Sequence, residues 1–331
     1  MIKYLVIGDL HFREASYQTN DLLASSILDT ARKVAPDFVV ILGDTFHNNE
    51  RINTHILTPA VKFFHELMEV SPTYLILGNH DLINNNQFFS DVHAFTAFKY
   101  WGPRMIVVDT TLTTIVNGYQ FTFVPYVPKG RFMEALRETD FQKSVCIFAH
   151  QEFKGANLGA VVSVDGDEWD LNFPMVISGH IHGYQQVQAN VLYPGTPIQH
   201  TFGDNLDKHI HLFTTIGTKT EHQKIELNIP KKRTLHVNYD TITDVMVPDN
   251  CFLKIKFSGT SSQLKSIKNH PRFKEWDLQG YTFSFKEIGT DVDRMMDVTP
   301  NKKFSETLYS EVRKNENIYQ RLVEINGECT K

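Results

Sequence analysis

Five times in its first 182 residues this chain runs a short apolar segment into a loop of chemically capable side chains. Lys3–Ile7 ends in Gly8-Asp9-Leu10-His11, Phe38–Leu42 in Gly43-Asp44, and Tyr74–Leu77 in Gly78-Asn79-His80-Asp81. Val145–Phe148 ends in Ala149-His150, and Met175–Ile177 in Ser178-Gly179-His180-Ile181-His182. Short runs rich in Val, Ile, Leu and Phe, bounded by turn residues, predict strands. Helical segments lie between them. Asp21–Lys33 separates the first two, and Thr54–Glu69 is apolar at 56/57, 60/61, 63/64 and 67/68, the stripe of an amphipathic helix. Strands alternating with helices predict a largely parallel sheet with right-handed crossovers. Such sheets place their sites at the carboxyl ends of the strands, where all five loops fall.

From about residue 105 the pattern becomes strand after strand: Met105–Val108, Thr111–Val116, Tyr119–Val124, then 186–193, 209–216 and 222–229. This predicts a second, antiparallel-rich sheet packed on the first with helices outside, a four-layered α/β sandwich. Pro230-Lys231-Lys232-Arg233 marks a boundary. The expected division is a large domain at 1–230, a small α/β domain at 231–300 and a helical segment at 301–331. The small domain holds a strand (Phe252–Phe257), a helix (Gln263–Asn269) and a second strand (Tyr281–Phe285). A helical stretch from about Ser305 to Glu324 follows.

A chain of 331 residues with 41% apolar and 21% charged residues fits an ordinary globular protein of two domains. Its three cysteines, Cys146, Cys251 and Cys329, lie far apart, which argues against a disulfide framework and for a reducing compartment. The apolar start, Ile2–Ile7, is too short for a signal peptide, and no window has the length of a transmembrane helix. A cytoplasmic or nucleoid-associated protein with no membrane partner is expected. The net charge is −5, unevenly spread: residues 231–331 hold 17 Lys and Arg against 14 Asp and Glu. The acidic part therefore coincides with the five loops, as it does where bound cations complete the charge.

Taken singly, an aspartate after a strand is a cap and a lone histidine an ordinary polar residue. Together the five loops supply enough Asp, His and Asn for two metal shells. Hydrolysing a phosphate ester near neutral pH needs a hydroxide and neutralisation of the phosphoryl oxygens. Two cations about 3.5–4 Å apart supply both. A donor set without cysteine favours Mn²⁺ or Fe²⁺, with Zn²⁺ also allowed.

The order Asp-x-His, Gly-Asp, Gly-Asn-His-Asp, His, Gly-His-x-His across residues 9–182 resembles the calcineurin-like metallophosphoesterases. The resemblance implies one cation on Asp9, His11 and His182, a second on Asn79, His150 and His180, and Asp44 bridging them. It implies that His80 is not a ligand but stabilises the transition state or protonates the leaving oxygen, with Asp81 beside it. Residues 43–49, Gly-Asp-Thr-Phe-His-Asn-Asn, lack the second Asp and the Arg of phosphoprotein phosphatases. His47 resembles the histidine that seats the DNA phosphate in repair nucleases.

Tyr193-Pro194-Gly195-Thr196-Pro197 followed by Phe202-Gly203-Asp204 is similar to a block of the SbcD double-strand-break nucleases. The compact length and Asn84–Asn86 look most like their shorter phage or large-DNA-virus forms. That resemblance implies a Mn²⁺-dependent 3′-to-5′ exonuclease and single-strand endonuclease acting in DNA repair or recombination. Its implied partners are DNA, an SbcC-type coiled-coil ABC ATPase gripped by the terminal helices, and a second copy of this chain. Residues 231–300 would be the capping domain. The candidate pairing surfaces are 54–69 and Phe88–Phe98, with core packing as the default reading of both. Arg13 and, more weakly, Lys154 are candidate phosphate contacts. The rival functions are a cyclic- or small-nucleotide phosphodiesterase on the same fold, and a non-catalytic scaffold. A closed pocket would favour the first rival, and lost metal ligands the second.

Overall fold

Strands buried on both faces cannot alternate apolar with polar, and the first strands of this chain show no alternation. The computed structural model describes residues 1–49 and 51–288. Its first unit comprises Met1–Lys232 with Asn250–Phe252, and its second Arg233–Asp249 with the chain from Leu253 onward. The first unit begins β1 (Ile2–Ile7), α1 (Tyr17–Val34), β2 (Phe38–Ile41), α2 (Thr54–Val70), β3 (Thr73–Ile76) and β4 (Met105–Val108). These four strands are parallel. Next come β5 (Leu112–Val116), β6 (Tyr119–Val124), α3 (Phe132–Leu136), β7 (Cys146–Ala149), β8 (Met175–Ser178), β9 (Gln185–Gln188) and β10 (Val191–Tyr193). β11 (Ile210–Ile216) and β12 (Lys219–Ile225) close the series.

One sheet has the order β12-β11-β1-β2-β3-β4, the other β5-β6-β7-β8-β10-β9. Alternate residues of β1 to β3 point opposite ways. Tyr4, Phe38 and Tyr74 face the second sheet, where Tyr4 stacks on Phe38 at 5.3 Å and Tyr74 on Phe123 at 4.1 Å. Leu5, Val39 and Leu75 face the other way, against Leu23 and Ile27 of α1 and Phe63, Phe64 and Leu67 of α2. The outer face of the second sheet, through Val124, Ile147 and Val176, packs on Phe132 and Trp169. Four layers result, as expected.

Several finer expectations are corrected. The second sheet is not antiparallel-rich: β6, β7, β8 and β10 run parallel, and only its edges β5 and β9 are antiparallel. β4, β11 and β12 belong to the first sheet, because strand order is set by crossovers that local pattern does not encode. Residues 186–193 form two paired strands, β9 and β10, rather than one. The default reading of α2 and of Phe88–Phe98 holds: the apolar stripe is buried in this chain's own core through Ile56, Ala60, Phe63, Phe64, Leu67 and Met68, as are Phe95 and Phe98.

The second unit is built around β13 (Lys231–Asn238), β14 (Cys251–Gly259), α4 (Ser261–Ile267), α5 (Pro271–Leu278) and β15 (Thr282–Glu287). Its sheet has the order β13-β14-β15, with β14 and β15 parallel. Trp276, Phe257 and Phe273 fill its core. β13 starts inside the Pro-Lys-Lys-Arg stretch read as a boundary, and α5 lies where no element was expected. The terminal helical segment, 301–331, lies outside the described residues. Among the described residues no helix is long and apolar enough to cross a membrane.

Candidate metal centre

β1, β2 and β3 from one sheet and β7 and β8 from the other deliver their following loops to one place. The loops are locked to each other through the backbone. The amides of His11 and Phe12 donate to the carbonyls of Asp44 and Thr45 at 2.9 and 2.8 Å, and the His180 amide donates to the Asp9 carboxylate at 3.0 Å. His11, Asp44 and His180 all sit at positive φ, 44°, 48° and 80°. Each such non-glycine residue costs about 1–3 kcal/mol and persists only where the surroundings over-determine it. Close approach also dictates the glycines. A Cβ on Gly78 would lie 2.2 Å from Asp44 Oδ1, and one on Gly43, itself at φ +103°, 2.5 Å from His150 Nδ1.

Two clusters of donor atoms result. Asp9, His11 and His182 form one, and Asp44, His150 and His180 the other, with one donor atom from each residue lying within 4.8 Å of its companions. In the first, His11 Nε2 and His182 Nε2 face each other at 2.9 Å. In the second, Asn79 Oδ1 lies 3.1 Å from His150 Nε2 and 2.9 Å from His180 Nδ1. Asp44 stands between them, Oδ2 3.6 Å from His11 Nε2 and Oδ1 3.4 Å from His150 Nε2. The structure thus brings together all seven residues that the sequence nominated as ligands.

The electrostatics call for cations. Asp9 and Asp44 are 1% and 2% exposed. Burial, with Asp44 nearby, pushes the Asp9 carboxyl up to about 7 against the pull of His150. Burial would also raise Asp44, but His150 and His11 outweigh it and hold that carboxyl below the usual range. His150, although buried, is raised to about 9 by Asp44 and Asp9. Burial drives His11 down to about 2 and His180 to about 4, leaving both imidazoles neutral with lone pairs available. Neutral imidazoles and shared carboxylates are the donor set that a pair of divalent cations requires.

His80 is placed by its neighbours. Its amide donates to Asp44 Oδ1 at 2.9 Å, and its Nδ1 meets the His47 carbonyl at 2.8 Å. That contact assigns the proton to Nδ1 and leaves Nε2 for the site. The His47 ring lies parallel to that of His80 at 5.9 Å. Asp81 could be read from sequence equally as a neighbour of His80 or as a loop cap, and its contacts are those of a cap. The Asp81 carboxylate accepts from the amides of Thr45 (3.0 Å), Phe46 (3.4 Å) and Gly78 (2.9 Å), and so ties the Asp44 loop to the Asn79 loop. Of the two candidate phosphate contacts, each read first as an ordinary surface residue, the Arg13 guanidinium is engaged by the His200 carbonyl and by Ser16 Oγ at 3.0 Å, and Lys154 pairs with Glu168 at 2.6 Å.

Three residues were not singled out from the sequence. Glu152 Oε2 lies 3.7 Å from His180 Nε2, while its other oxygen accepts from Ser163 Oγ at 2.6 Å. A carboxylate behind a ligand histidine fixes the ring and raises its basicity. The Lys208 ammonium donates to the His182 carbonyl and to Thr196 Oγ1, each at 2.7 Å. His200 is buried and faces His11 and His182 at ring distances of 5.2 and 5.8 Å. The available signal was position: Glu152 follows His150 by two residues, and His200 lies within the Tyr193–Asp204 block. Beside the ligands runs an open groove of about 640 Å³, lined by Glu152, His180, His182, Leu158, Asn205 and Lys208 among others. A separate cleft of about 300 Å³ between α1 and α2 does not reach the ligands.

Residues 2–184, which contain every one of these ligands, match the family of calcineurin-like phosphoesterases. The chain belongs to that family. It is 33% identical over 324 residues to "Putative phosphoesterase 078R" of Invertebrate iridescent virus 3, covering 94% of this chain and 92% of that one. It is 41% identical over 277 residues to "Putative phosphoesterase 244L" of Invertebrate iridescent virus 6, covering 81% of this chain and 98% of that one. The protein is a hydrolase of phosphoester bonds, of a family that works with two metal ions, and its two donor clusters are the candidate groups for holding them.

Proposed function

We propose that this phosphoesterase is a Mn²⁺-dependent DNA nuclease of the SbcD type. The observation that carries the reading is the position of Asp44, one oxygen toward each donor cluster, with His80 fixed beside it. Asp9, His11 and His182 would hold one cation, Asn79, His150 and His180 the other, and Asp44 both. When bound, the pair supplies a hydroxide near neutral pH and charge neutralisation on the phosphoryl group.

The chain's own residues do the rest. His80, held through Nδ1–H by the His47 carbonyl, would take up a second proton at Nε2 from solvent, and that Nε2–H would stabilise the phosphoryl oxygens and pass its proton to the leaving oxygen, returning the ring to its neutral form. His47 lies alongside, where it would bear on the substrate phosphate. The groove is open rather than closed, which suits a polymer better than a small nucleotide. With all seven ligands and His80 in place, the scaffold reading has no support. An SbcC-type ATPase and a second copy of this chain are the partners that belong to this reading, on the strength of the sequence resemblance.

The test is cleavage of end-labelled duplex and circular single-stranded DNA with Mn²⁺. Asp44→Ala, His80→Gln and EDTA are the controls, and an aryl phosphodiester runs alongside. DNA digestion lost in all three controls is the expected result. Turnover of the aryl ester with DNA left intact would refute the nuclease reading for the isolated chain and favour a small phosphodiester as substrate.

A further inference from the structure

Residues 155–164, Gly-Ala-Asn-Leu-Gly-Ala-Val-Val-Ser-Val, carry no charged side chain, yet they stand beside a centre built of charged and polar groups. They form a hairpin. The Gly155 amide donates to the Ser163 carbonyl, the Ser163 amide to the Ala156 carbonyl and the Leu158 amide to the Val161 carbonyl, each at 2.8 Å. It is tied down on two sides. The Gln185 side chain of β9 accepts from the Asn157 amide at 2.8 Å and donates to the Asn157 carbonyl at 3.0 Å. Glu152, one of whose oxygens approaches His180, takes the Ser163 hydroxyl on the other at 2.6 Å.

The apolar side chains of this hairpin are left out of the core. Leu158, Val161, Val162 and Val164 are 41, 62, 57 and 79% exposed, and none belongs to the three clusters that fill the first unit. A single exposed valine is ordinary, but several together on one ordered hairpin mark a contact surface. That surface begins inside the site, because Leu158 lines the groove of about 640 Å³ together with His180 and His182. The lining thus divides by chemistry. Glu152, Asp204 and Lys208 are its charged members, and the hairpin brings uncharged ones. A DNA strand divides in the same way, into phosphates that need cations and bases whose faces need apolar cover. Aliphatic side chains pack on bases, and between them, for that reason. Bases within a duplex are stacked on both faces already and offer such a hairpin only their edges.

We propose that this hairpin is the base-contacting wall of the groove, with Leu158 packing on an unpaired base beside the phosphate at the metal centre. The inference rests on the DNA nuclease reading and narrows its substrate to strands, or frayed ends, whose bases are unpaired.

The experiment uses the full chain with Mn²⁺. It compares kcat/KM on a single-stranded oligonucleotide with that on an oligomer of equal length whose sugars carry no bases. The unaltered chain should favour the oligomer with bases by about 10-fold or more, and Leu158→Ser should lose about 5-fold on that oligomer but little on the baseless one. Leu158→Met, which keeps an apolar side chain, should retain the preference. Melting in EDTA checks that each variant folds. An unaltered chain indifferent to the bases, or an equal loss on both oligomers in Leu158→Ser, would overturn the inference and leave the nuclease reading intact. No loss on either oligomer would also overturn it, and is the result expected of a hairpin that docks a protein instead. An unaltered chain that turns over an aryl phosphodiester but cuts neither oligomer would overturn both.

Discussion

Replacing Asp81 by Asn separates two roles for a residue that the Gly-Asn-His-Asp motif places next to His80. The carboxylate is 5% exposed and accepts from three amides, Thr45 and Phe46 on one oxygen and Gly78 on the other. Asn keeps the shape but turns one acceptor into a donor facing an N–H. One buried amide is then left unpaired, worth about 1–3 kcal/mol. Burial and the Asp44 carboxylate push the Asp81 carboxyl up to about 8, so in the metal-free chain at neutral pH it is largely protonated and the loss of charge itself changes little. The net loss is about 2 kcal/mol, read as a lower urea midpoint in EDTA at neutral pH. Because the His80 ring is held by the His47 carbonyl and not by Asp81, the metal-loaded variant should keep most of its kcat. Unchanged stability together with a kcat lost as in His80→Gln would refute this account and make Asp81 the partner of His80.

Two further outcomes follow from the same geometry. Glu152→Gln preserves the contact with Ser163 but removes the charge 3.7 Å from His180 Nε2, and should weaken binding of one cation by about 10- to 100-fold, measured by Mn²⁺ titration. For the metal-free chain, His11, His180, His200 and His211 have folded-state values of about 2, 4, 3 and 3, each lowered chiefly by burial from 6.5, so between about pH 6.5 and 4 the unfolded state binds their protons and the folded state does not. Asp9 and Asp81, raised to about 7 and 8, work the other way over part of that range. The histidines outnumber them. Stability should fall as pH drops through this window, on the order of 2 kcal/mol per pH unit, and urea unfolding at pH 6.5 and 5 in EDTA would show a flat or rising trend if the histidines were solvated instead.

The strands that carry the site were legible because burial on both faces leaves an unbroken apolar run, as in Phe38-Val39-Val40-Ile41, which no helix of that length would need. Their ends were legible because glycine is imposed at Gly43 and Gly78 by contacts too close for a side chain. Sheet membership was not. β4 and β11 look like members of an all-antiparallel series in sequence, and only the crossovers put them beside β3 and β1. The split of 186–193 was hidden because Ala189-Asn190 carries no proline or glycine to announce a turn. β13 was hidden because its opening Lys-Lys-Arg reads as a boundary, although its strand pattern is largely exposed or half-exposed and tolerates such residues. In the centre itself the motif residues were readable, whereas Glu152 and His200 act through spatial neighbours contributed by other loops.

Because the ligands come from both sheets, the separation of the two cations depends on something neither sheet fixes alone. Asp9, Asp44 and Asn79 ride on β1, β2 and β3, and His150 and His180 on β7 and β8. What sets the gap between these two groups is the aromatic layer in which Tyr4 meets Phe121 at 5.4 Å and Phe148 at 5.7 Å. Close-packed rings of this kind resist compression and leave few voids, so they transmit position rather than absorb it. Short direct ties across the gap include the His150 ring to the Leu42 carbonyl, the His180 amide to Asp9, Asn79 Oδ1 to both rings and the Tyr126 amide to the Leu77 carbonyl. A pair of cations needs its donors placed to within a few tenths of an ångström. The large buried aromatics between the sheets are therefore as much a part of the centre's geometry as the residues that touch it.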